Sequence, residues 1–188
     1  IPHRYPARLA NLSVRGIYNV QFMPFRNNSE GRRVLGWWAD RCLEWCYNRD
    51  EEGRFGDQKY LDEWPDRFPG THVLRHIGAG VAPWNYENYD FAMTPDGTIL
   101  VSNAPLIFYH FSQFRYCGPQ RSFCMGYPYV GTRPIPRDIY QAYQHAIARA
   151  YERIRAVDPV FATGIDSYVR VVAREIVRRF LPYRFKQA

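Results

Sequence analysis

The sequence Phe55-Gly56-Asp57-Gln58-Lys59-Tyr60-Leu61-Asp62-Glu63-Trp64-Pro65 places an acid, an amide and a base in three consecutive positions directly after a glycine. Glycine adopts backbone angles that other residues avoid, so Gly56 permits a sharp entry into the segment. One interpretation is a polar site at the start of a short helix, facing a ligand rich in hydroxyl groups. The alternative is a helix cap, in which the Asp57 carboxylate accepts hydrogen bonds from the backbone amides that follow. Taken alone, the stretch favours the cap.

A helix is predicted before this stretch. Apolar residues recur at helical spacing from Val34 to Cys46, behind the turn-prone Asn27-Asn28-Ser29, of which Ser29 is the predicted N-cap. Cys42 and Cys46 would lie one turn apart on the apolar face. Core packing explains this pair better than metal binding, because no histidine or further cysteine lies nearby in the sequence.

Short apolar runs on both sides of the stretch are predicted to be strands, over residues 17–26, 71–76 and 106–111. Residues 93–100 contain Pro95-Asp96-Gly97, which predicts a hairpin. Gly78 and Gly80 lie in the loop that follows the second predicted strand. They would allow the backbone to approach a ligand closely.

Two helices are predicted after Pro134, over residues 137–157 and 167–181. Basic residues outnumber acidic ones in this part of the chain. The last helix has apolar residues on one side and arginines on the other. This is the composition of a helix that lies on an anionic membrane or packs beside a partner. The alternative is a surface helix of the same domain with solvated arginines.

The composition is that of one globular domain, with 188 residues of which 46% are hydrophobic. The net charge of +7 suits nucleic acids, anionic membranes and phosphorylated small molecules alike. Aromatic residues make up 17% and supply stacking platforms for sugar rings or bases. The four cysteines are too sparse for a disulfide scaffold, and no apolar run approaches the ~20 residues that span a bilayer. Reduced thiols in a cytoplasmic protein are therefore expected.

Four polar motifs, taken in order, resemble the nucleotide-sugar transferases of the GT-A fold, in particular the glycogenin and bacterial lipopolysaccharide galactosyltransferase group. That group has a strand with N-x-G, a D-Q-x-x-L-N segment, a W-N loop and a strand that ends H-F. The counterparts here are residues 18–21 with Asn19, residues 57–62, Trp84-Asn85 and Tyr109-His110-Phe111. The match looks closer to a bacterial set of glycosyltransferases with W-W-x-x-x-C-x-x-W-C-Y and G-D-Q-K-Y-L-D signatures, which extend here from Trp37 to Asp62.

The resemblance implies an α/β chain, namely the C-terminal part of a GT-A fold with a mixed sheet and added C-terminal helices. Residues 1–133 would form the acceptor side of the catalytic domain, and residues 134–188 a basic helical extension. The nucleotide-binding half, with its D-x-D triplet, would precede Ile1. The chain is therefore expected to be either part of a longer protein or the product of a decayed gene, and in each case to be inactive alone. Gln21 and Asp62 depart from the family motifs, which have glycine and asparagine there.

The resemblance also assigns roles to single residues. Asp57 and Gln58 would be catalytic, with Asp57 acting as general base if the enzyme inverts and as a positioning group if it retains. A Mn²⁺ or Mg²⁺ ion would neutralise the diphosphate, with His110 as a ligand and His76 as the alternative. The implied substrate contacts are Asn19, Lys59, Trp84 and Asn85.

The predicted function is the transfer of a sugar from a nucleotide-sugar donor to a saccharide or lipid-linked acceptor in polysaccharide biosynthesis. The C-terminal helix would add peripheral contact with the inner face of the membrane, and nucleic acid is not an expected partner. The alternative is a non-catalytic, basic and aromatic module that binds nucleic acid or another anionic surface, although no recognised RNA-binding motif is present.

Overall fold

The computed structural model describes residues 14–126 and 129–180. Within these ranges the helices are α1 (Ser29–Glu44), α2 (Trp64–Arg67), α3 (Arg137–Arg155) and α4 (Tyr168–Phe180), and short 3-10 helices span Lys59–Glu63, Ile77–Ala79 and Tyr86–Asn88. The strands are β1 (Phe91–Met93), β2 (Ile99–Val101), β3 (Ala104–Pro105), β4 (Arg115–Tyr116) and β5 (Ser122–Phe123). The described chain thus combines helices with small antiparallel sheets.

Helix α1 confirms the predicted helix, with small differences at both ends. Asn28, rather than Ser29, is the N-cap, because its side-chain oxygen accepts a 2.8 Å hydrogen bond from the Gly31 amide. The helix stops at Glu44, where Trp45 turns to an extended backbone. Cys46 therefore lies outside the helix and is exposed, so core packing was the wrong prediction for this residue.

Two hydrophobic clusters hold the fold together. The smaller one buries Leu61, Trp64 and Phe68, against which α1 packs its apolar side chains Val34, Trp37 and Trp38. The indole rings meet edge to face, with the centroids of Trp38 and Trp64 6.0 Å apart. No residue of α1 is fully buried, so this helix rests on the cluster by one face only.

The larger cluster forms around the loop at residues 79–86 and the sheet β1-β2-β3. Its most buried side chains include Val81, Tyr86, Val101 and Tyr140. Tyr140 comes from α3, so the start of α3 packs into the same core as the segments before residue 134. The boundary between residues 133 and 134 stays a prediction.

The predicted hairpin at residues 93–100 is confirmed. Strands β1 and β2 pair antiparallel, with Met93 opposite Ile99. Gly97 takes φ +84°, a left-handed conformation that favours glycine. The Asp96 carboxylate accepts hydrogen bonds from the hydroxyls of Thr94 and Thr98, and these bonds lower its pKa.

The strands predicted at 17–26, 71–76 and 106–111 are not formed, and the local hydrogen bonds explain two of these errors. Asn19 accepts from the Gln21 amide through its own side chain, which turns the first run out of an extended path. In the third run, the amides of Ile107 and Phe108 both donate to Gly78, and that of His110 donates to Val81. A run whose amides go to separate neighbours makes no continuous ladder, and only Tyr109 forms a bridge, parallel to Val81. A mixed sheet was expected, but the strands of both described sheets pair antiparallel, and the Val81–Tyr109 bridge lies outside these sheets.

The two C-terminal helices are confirmed close to their predicted bounds. On α3, Tyr143 stacks on Phe111 with centroids 3.8 Å apart, and Tyr151 stacks on Tyr116 at 5.2 Å. These contacts fix α3 against Phe111 and against strand β4. Neither α3 nor any other helix in the described part of the chain has the length and apolar character needed to cross a membrane.

Candidate functional site

Five of the seven residues predicted to form a site line one cavity of about 350 Å³. They are Asn19, Asp57, Gln58, Trp84 and His110. These residues come from four segments spread over residues 19–110, so the fold brings together motifs that are far apart in the sequence. A volume of this size lies within the range of small-molecule sites.

Asp57 and Gln58 form one wall of the cavity. Gly56 takes φ +52°, and its amide donates to the carbonyl of Tyr47 at 2.9 Å. The indole N–H of Trp38 donates to the backbone carbonyl of Asp57 at 2.9 Å, which ties this wall to α1. The Asp57 carboxylate is half-buried and makes no hydrogen bond or ion pair with another residue in the ranges 14–126 and 129–180.

The predicted helix-cap role of Asp57 is wrong. The 3-10 helix begins at Lys59, its N-cap is Gln58, and no side chain caps it. The Gln58 amide nitrogen Nε2 instead donates to the carbonyl of Arg15 at 2.9 Å, which joins this wall to the segment before Asn19. The Asp57 carboxylate is therefore left available to the cavity.

Trp84 and His110 line a second part of the cavity. Their ring centroids lie 4.9 Å apart, and Tyr129 meets Trp84 edge to face at 6.0 Å. Burial lowers the pKa of His110 below its ordinary value of 6.5, so the imidazole is neutral at pH 7. A neutral imidazole offers one donor and one acceptor to a ligand.

Protonation of His110 should therefore couple to stability. Because folding lowers the pKa of His110, the unfolded chain takes up the His110 proton at a higher pH than the folded chain does. Protonation therefore favours the unfolded state, and the free energy of unfolding falls as the pH drops below 6.5. We expect the NMR titration of the His110 ring to show a midpoint below 6.5. Urea unfolding at about pH 7.5 and 5.5 should give the lower free energy at the lower pH, and His110→Gln should shrink this difference. A midpoint at or above 6.5 contradicts the expectation.

Lys59 and Asn85, the remaining predicted contacts, do not line the cavity. Lys59 forms a 2.9 Å ion pair with Asp62, whose other carboxylate oxygen accepts from the Ile17 amide at 2.6 Å. Asp62, the departure from the family motif, thus anchors the segment next to Asn19. Asn85 is buried, and its amide group is used within its own loop, where Oδ1 accepts from Ala82 and Nδ2 donates to Gly80, both at 2.8 Å.

Further lining residues were not predicted. The polar ones are Arg15, Asn48 and Ser112, and Tyr129 adds an aromatic ring. The guanidinium of Arg15 lies over the ring of Phe55, 5.2 Å from its centroid. Ser112 follows His110 by two positions, so the H-F motif could have indicated it, whereas no pattern singles out Arg15 or Asn48.

A metal centre does not fit the described residues alone. Within them no group of three or more His, Cys, Asp or Glu side chains is placed to hold a metal ion. His76, the alternative ligand, is exposed, and its Nδ1 accepts from the Gly78 amide as the N-cap of a 3-10 helix. The predicted Mn²⁺ or Mg²⁺ ion and the role of His110 as its ligand stay predictions, and the function proposed below uses no metal.

Cys46 lines the cavity, and Cys42, which precedes it by four positions and does not line the cavity, is not an activated nucleophile. Burial raises the pKa of Cys42 to about 11, and the neighbouring Cys46 adds to the effect. Cys42 is therefore a neutral thiol at pH 7. All four cysteines are free.

A second cavity, of about 790 Å³, shares Asn19 with the first. Most of its wall is apolar and comes from residues 18–34 and 61–74, with Trp64 and Phe68 contributed by the smaller hydrophobic cluster. Arg26, Glu30 and His72 add charged or polar groups. A cavity with several polar groups in its lining and a more strongly apolar cavity thus share one buried residue, Asn19.

The chain is similar to two proteins of Bacillus subtilis (strain 168). It is 33% identical to uncharacterized protein YfnD over 165 residues, which cover 86% of this chain and 53% of YfnD. It is also 33% identical to uncharacterized protein YfnF over 146 residues, which cover 78% of this chain and 47% of YfnF. No family model and no solved structure matches the chain. The chain spans about half the length of the curated relatives that it matches.

Proposed function

We propose that this chain forms the sugar-binding and acceptor side of a glycosyltransferase with a GT-A fold. One observation carries the proposal: the four motifs that resemble this family contribute Asn19, Asp57-Gln58, Trp84 and His110 to a single cavity. The nucleotide and its diphosphate would be held by groups outside this cavity.

The chemistry of the cavity suits a sugar. The Asp57 carboxylate accepts hydrogen bonds from hydroxyl groups, and such charge-assisted bonds are among the strong ones. In an inverting reaction it would take the proton of the acceptor hydroxyl, and in a retaining reaction it would orient the sugar. Asn19, Ser112 and the neutral His110 add donors and acceptors, and Trp84 offers an aromatic surface to the apolar face of a sugar ring.

The neighbouring apolar cavity favours an acceptor with an apolar portion. A lipid-linked saccharide would place its sugar beside Asp57 and its chain against the aromatic wall beyond Asn19. A plain saccharide leaves this second cavity unused. Within the proposal, a lipid-linked acceptor is thus the better match.

Asp57→Asn tests the proposal, with Asp40→Asn as the matched control. Asp40 is exposed on α1 and does not line the cavity. A hydrogen bond to a charged group contributes about 1.5–3 kcal/mol, so Asp57→Asn should weaken saccharide binding roughly 10- to 100-fold. The control should change binding less than about twofold. Chemical-shift titration of the purified chain with methyl glycosides of common hexoses and N-acetylhexosamines measures both, and circular dichroism checks that each variant is folded.

Three outcomes would count against this function. Shifts that avoid residues 19, 57, 58, 84 and 110, or saccharide affinity that Asp57→Asn leaves unchanged, would remove Asp57 from a sugar site. Binding of oligonucleotides without any saccharide would favour the non-catalytic basic module instead.

A further inference from the structure

Helix α4 packs against the rest of the chain by a narrow face. Val171 is its buried residue, and the carboxyl of Glu175 lies against Gly126. The guanidinium of Arg121 covers the ring of Tyr168, 5.6 Å from its centroid. Successive residues of an α-helix turn by about 100°, so positions 168, 171 and 175 share a sector about 60° wide.

The opposite side of α4 is apolar and exposed. Val169, Ile176, Val177 and Phe180 are 74%, 53%, 52% and 79% exposed, and with Ala173 they fall within about 100° of the helix circumference. We call these five residues the outer stripe. Exposed apolar side chains scattered singly are ordinary, but a continuous stripe along a whole helix indicates a contact surface.

Arginines flank the outer stripe. Arg170, Arg174 and Arg178 form a row along one edge, and Arg179 lies beyond the other. Four arginines against Glu175 give the helix a net charge of +3. Arg178 has an ion pair with Glu175 at 3.8 Å, whereas Arg170, Arg174 and Arg179 have none in the described part of the chain.

We propose that α4 binds the surface of an anionic lipid bilayer, with the outer stripe among the acyl chains and the arginines on the lipid phosphates. A helix with one apolar face and a strongly basic border has the pattern of an interfacial helix. Lipid phosphates supply the negative charge that the arginine row requires. The surface is separate from the two cavities, so the inference stands independently of the sugar site.

Other binding partners, namely nucleic acid or a second copy of the chain, match only part of this surface. Nucleic acid would pair with the arginines but would leave Phe180, Ile176 and their neighbours in water. A symmetric pair of α4 helices would cover the stripe but would bring two helices of charge +3 together. A bilayer with anionic headgroups accommodates both the apolar and the basic parts.

The test is sedimentation of the purified chain with vesicles. One vesicle is phosphatidylcholine alone, and the other is an equimolar mixture of phosphatidylcholine and phosphatidylglycerol. We expect the chain to bind the mixed vesicle at least tenfold more tightly, with affinity that falls when the salt concentration rises. Arg170→Gln with Arg174→Gln should remove most of this preference.

The outer stripe is tested by Ile176→Ser with Phe180→Ser. The matched control is Leu35→Ser with Leu43→Ser, which changes two exposed leucines on α1. The α4 variant should lose at least tenfold in affinity for the mixed vesicle, and the α1 variant less than twofold. Circular dichroism of both variants checks that the helices remain.

Several results would overturn the inference. They are absence of binding to either vesicle, equal binding to both, and equal losses in the α4 and α1 variants. A dimer in analytical ultracentrifugation that the α4 variant dissolves would assign the stripe to a second copy. Oligonucleotide binding that needs Arg170 and Arg174 but not Phe180, together with no vesicle binding, would assign the helix to nucleic acid.

Discussion

Gly78→Ala should lower the free energy of unfolding by at least about 3 kcal/mol, the upper part of the range for overpacking a well-packed site. A Cβ atom at position 78 would lie 1.9 Å from the carbonyl oxygen of Pro105 and 3.1 Å from the Cα atom of Leu106. Both neighbours are backbone, so no side chain can swing aside. The Gly78 carbonyl also accepts from the amides of Ile107 and Phe108, so a shift in this loop disturbs the path toward His110.

Gly36→Ala is the control for this variant. Gly36 lies in α1, and a Cβ atom there would meet nothing within 4 Å. Alanine is the better helix former by about 0.5–1 kcal/mol, so this substitution should stabilise the chain. Urea or thermal unfolding measures both effects. A Gly78→Ala variant as stable as the parent would show that β3 does not lie against the loop as described.

Asn85→Ala should lower the free energy of unfolding by about 3 kcal/mol. The side chain is 2% exposed and satisfies the Ala82 amide and the Gly80 carbonyl. Removal of a hydrogen-bond partner from a buried polar group costs about 1–3 kcal/mol, and here two such groups lose theirs. Asn48→Ala, an exposed asparagine in the cavity lining, should change stability by less than about 0.5 kcal/mol.

This comparison separates two roles of Asn85. If its amide holds the loop, Asn85→Ala lowers the free energy of unfolding. Saccharide binding then decreases only in proportion to the fraction of the chain that is unfolded. If its amide meets the ligand, as the family resemblance implies, binding falls while stability stays near that of the parent. Chemical denaturation and a saccharide titration on the same samples distinguish the two results.

The elements that the sequence predicted well are those specified by local chemistry. The Asn27-Asn28-Ser29 turn and the apolar spacing after it predicted α1, and Pro95-Asp96-Gly97 predicted the β1-β2 hairpin. Helix capping and tight turns depend on residues within a few positions of one another. Periodicity likewise predicted α3 and α4, although it did not show which face of α4 would pack.

The errors lie where distant segments decide the outcome. Residues 106–111 are rich in β-formers, but a strand needs a partner along its whole length, and their amides find different partners. Gly78 was expected to admit a ligand, yet the group that approaches it is the backbone of Pro105. Both results depend on contacts that no window of the sequence contains.

The predictions for the candidate site were also right for some residues and wrong for others. The motifs identified Asp57, Gln58 and His110, and these side chains meet in one cavity. The motifs also included Lys59 and Asn85, whose polar groups are used to fix the loops that carry the site. A motif contains the residues that stabilise a loop as well as those that face the cavity. The sequence alone does not separate these two kinds of residue.

The bond from the Trp38 indole to the backbone carbonyl of Asp57 links the cavity wall to the least buried of the longer helices. A helix that rests on one face alone is the kind of element that detaches in local opening. Detachment of α1 would break this bond and release the carboxylate from its position. A ligand held by Asp57 would therefore add its binding free energy to the docking of α1, and the empty and occupied forms would differ in how firmly this helix is attached.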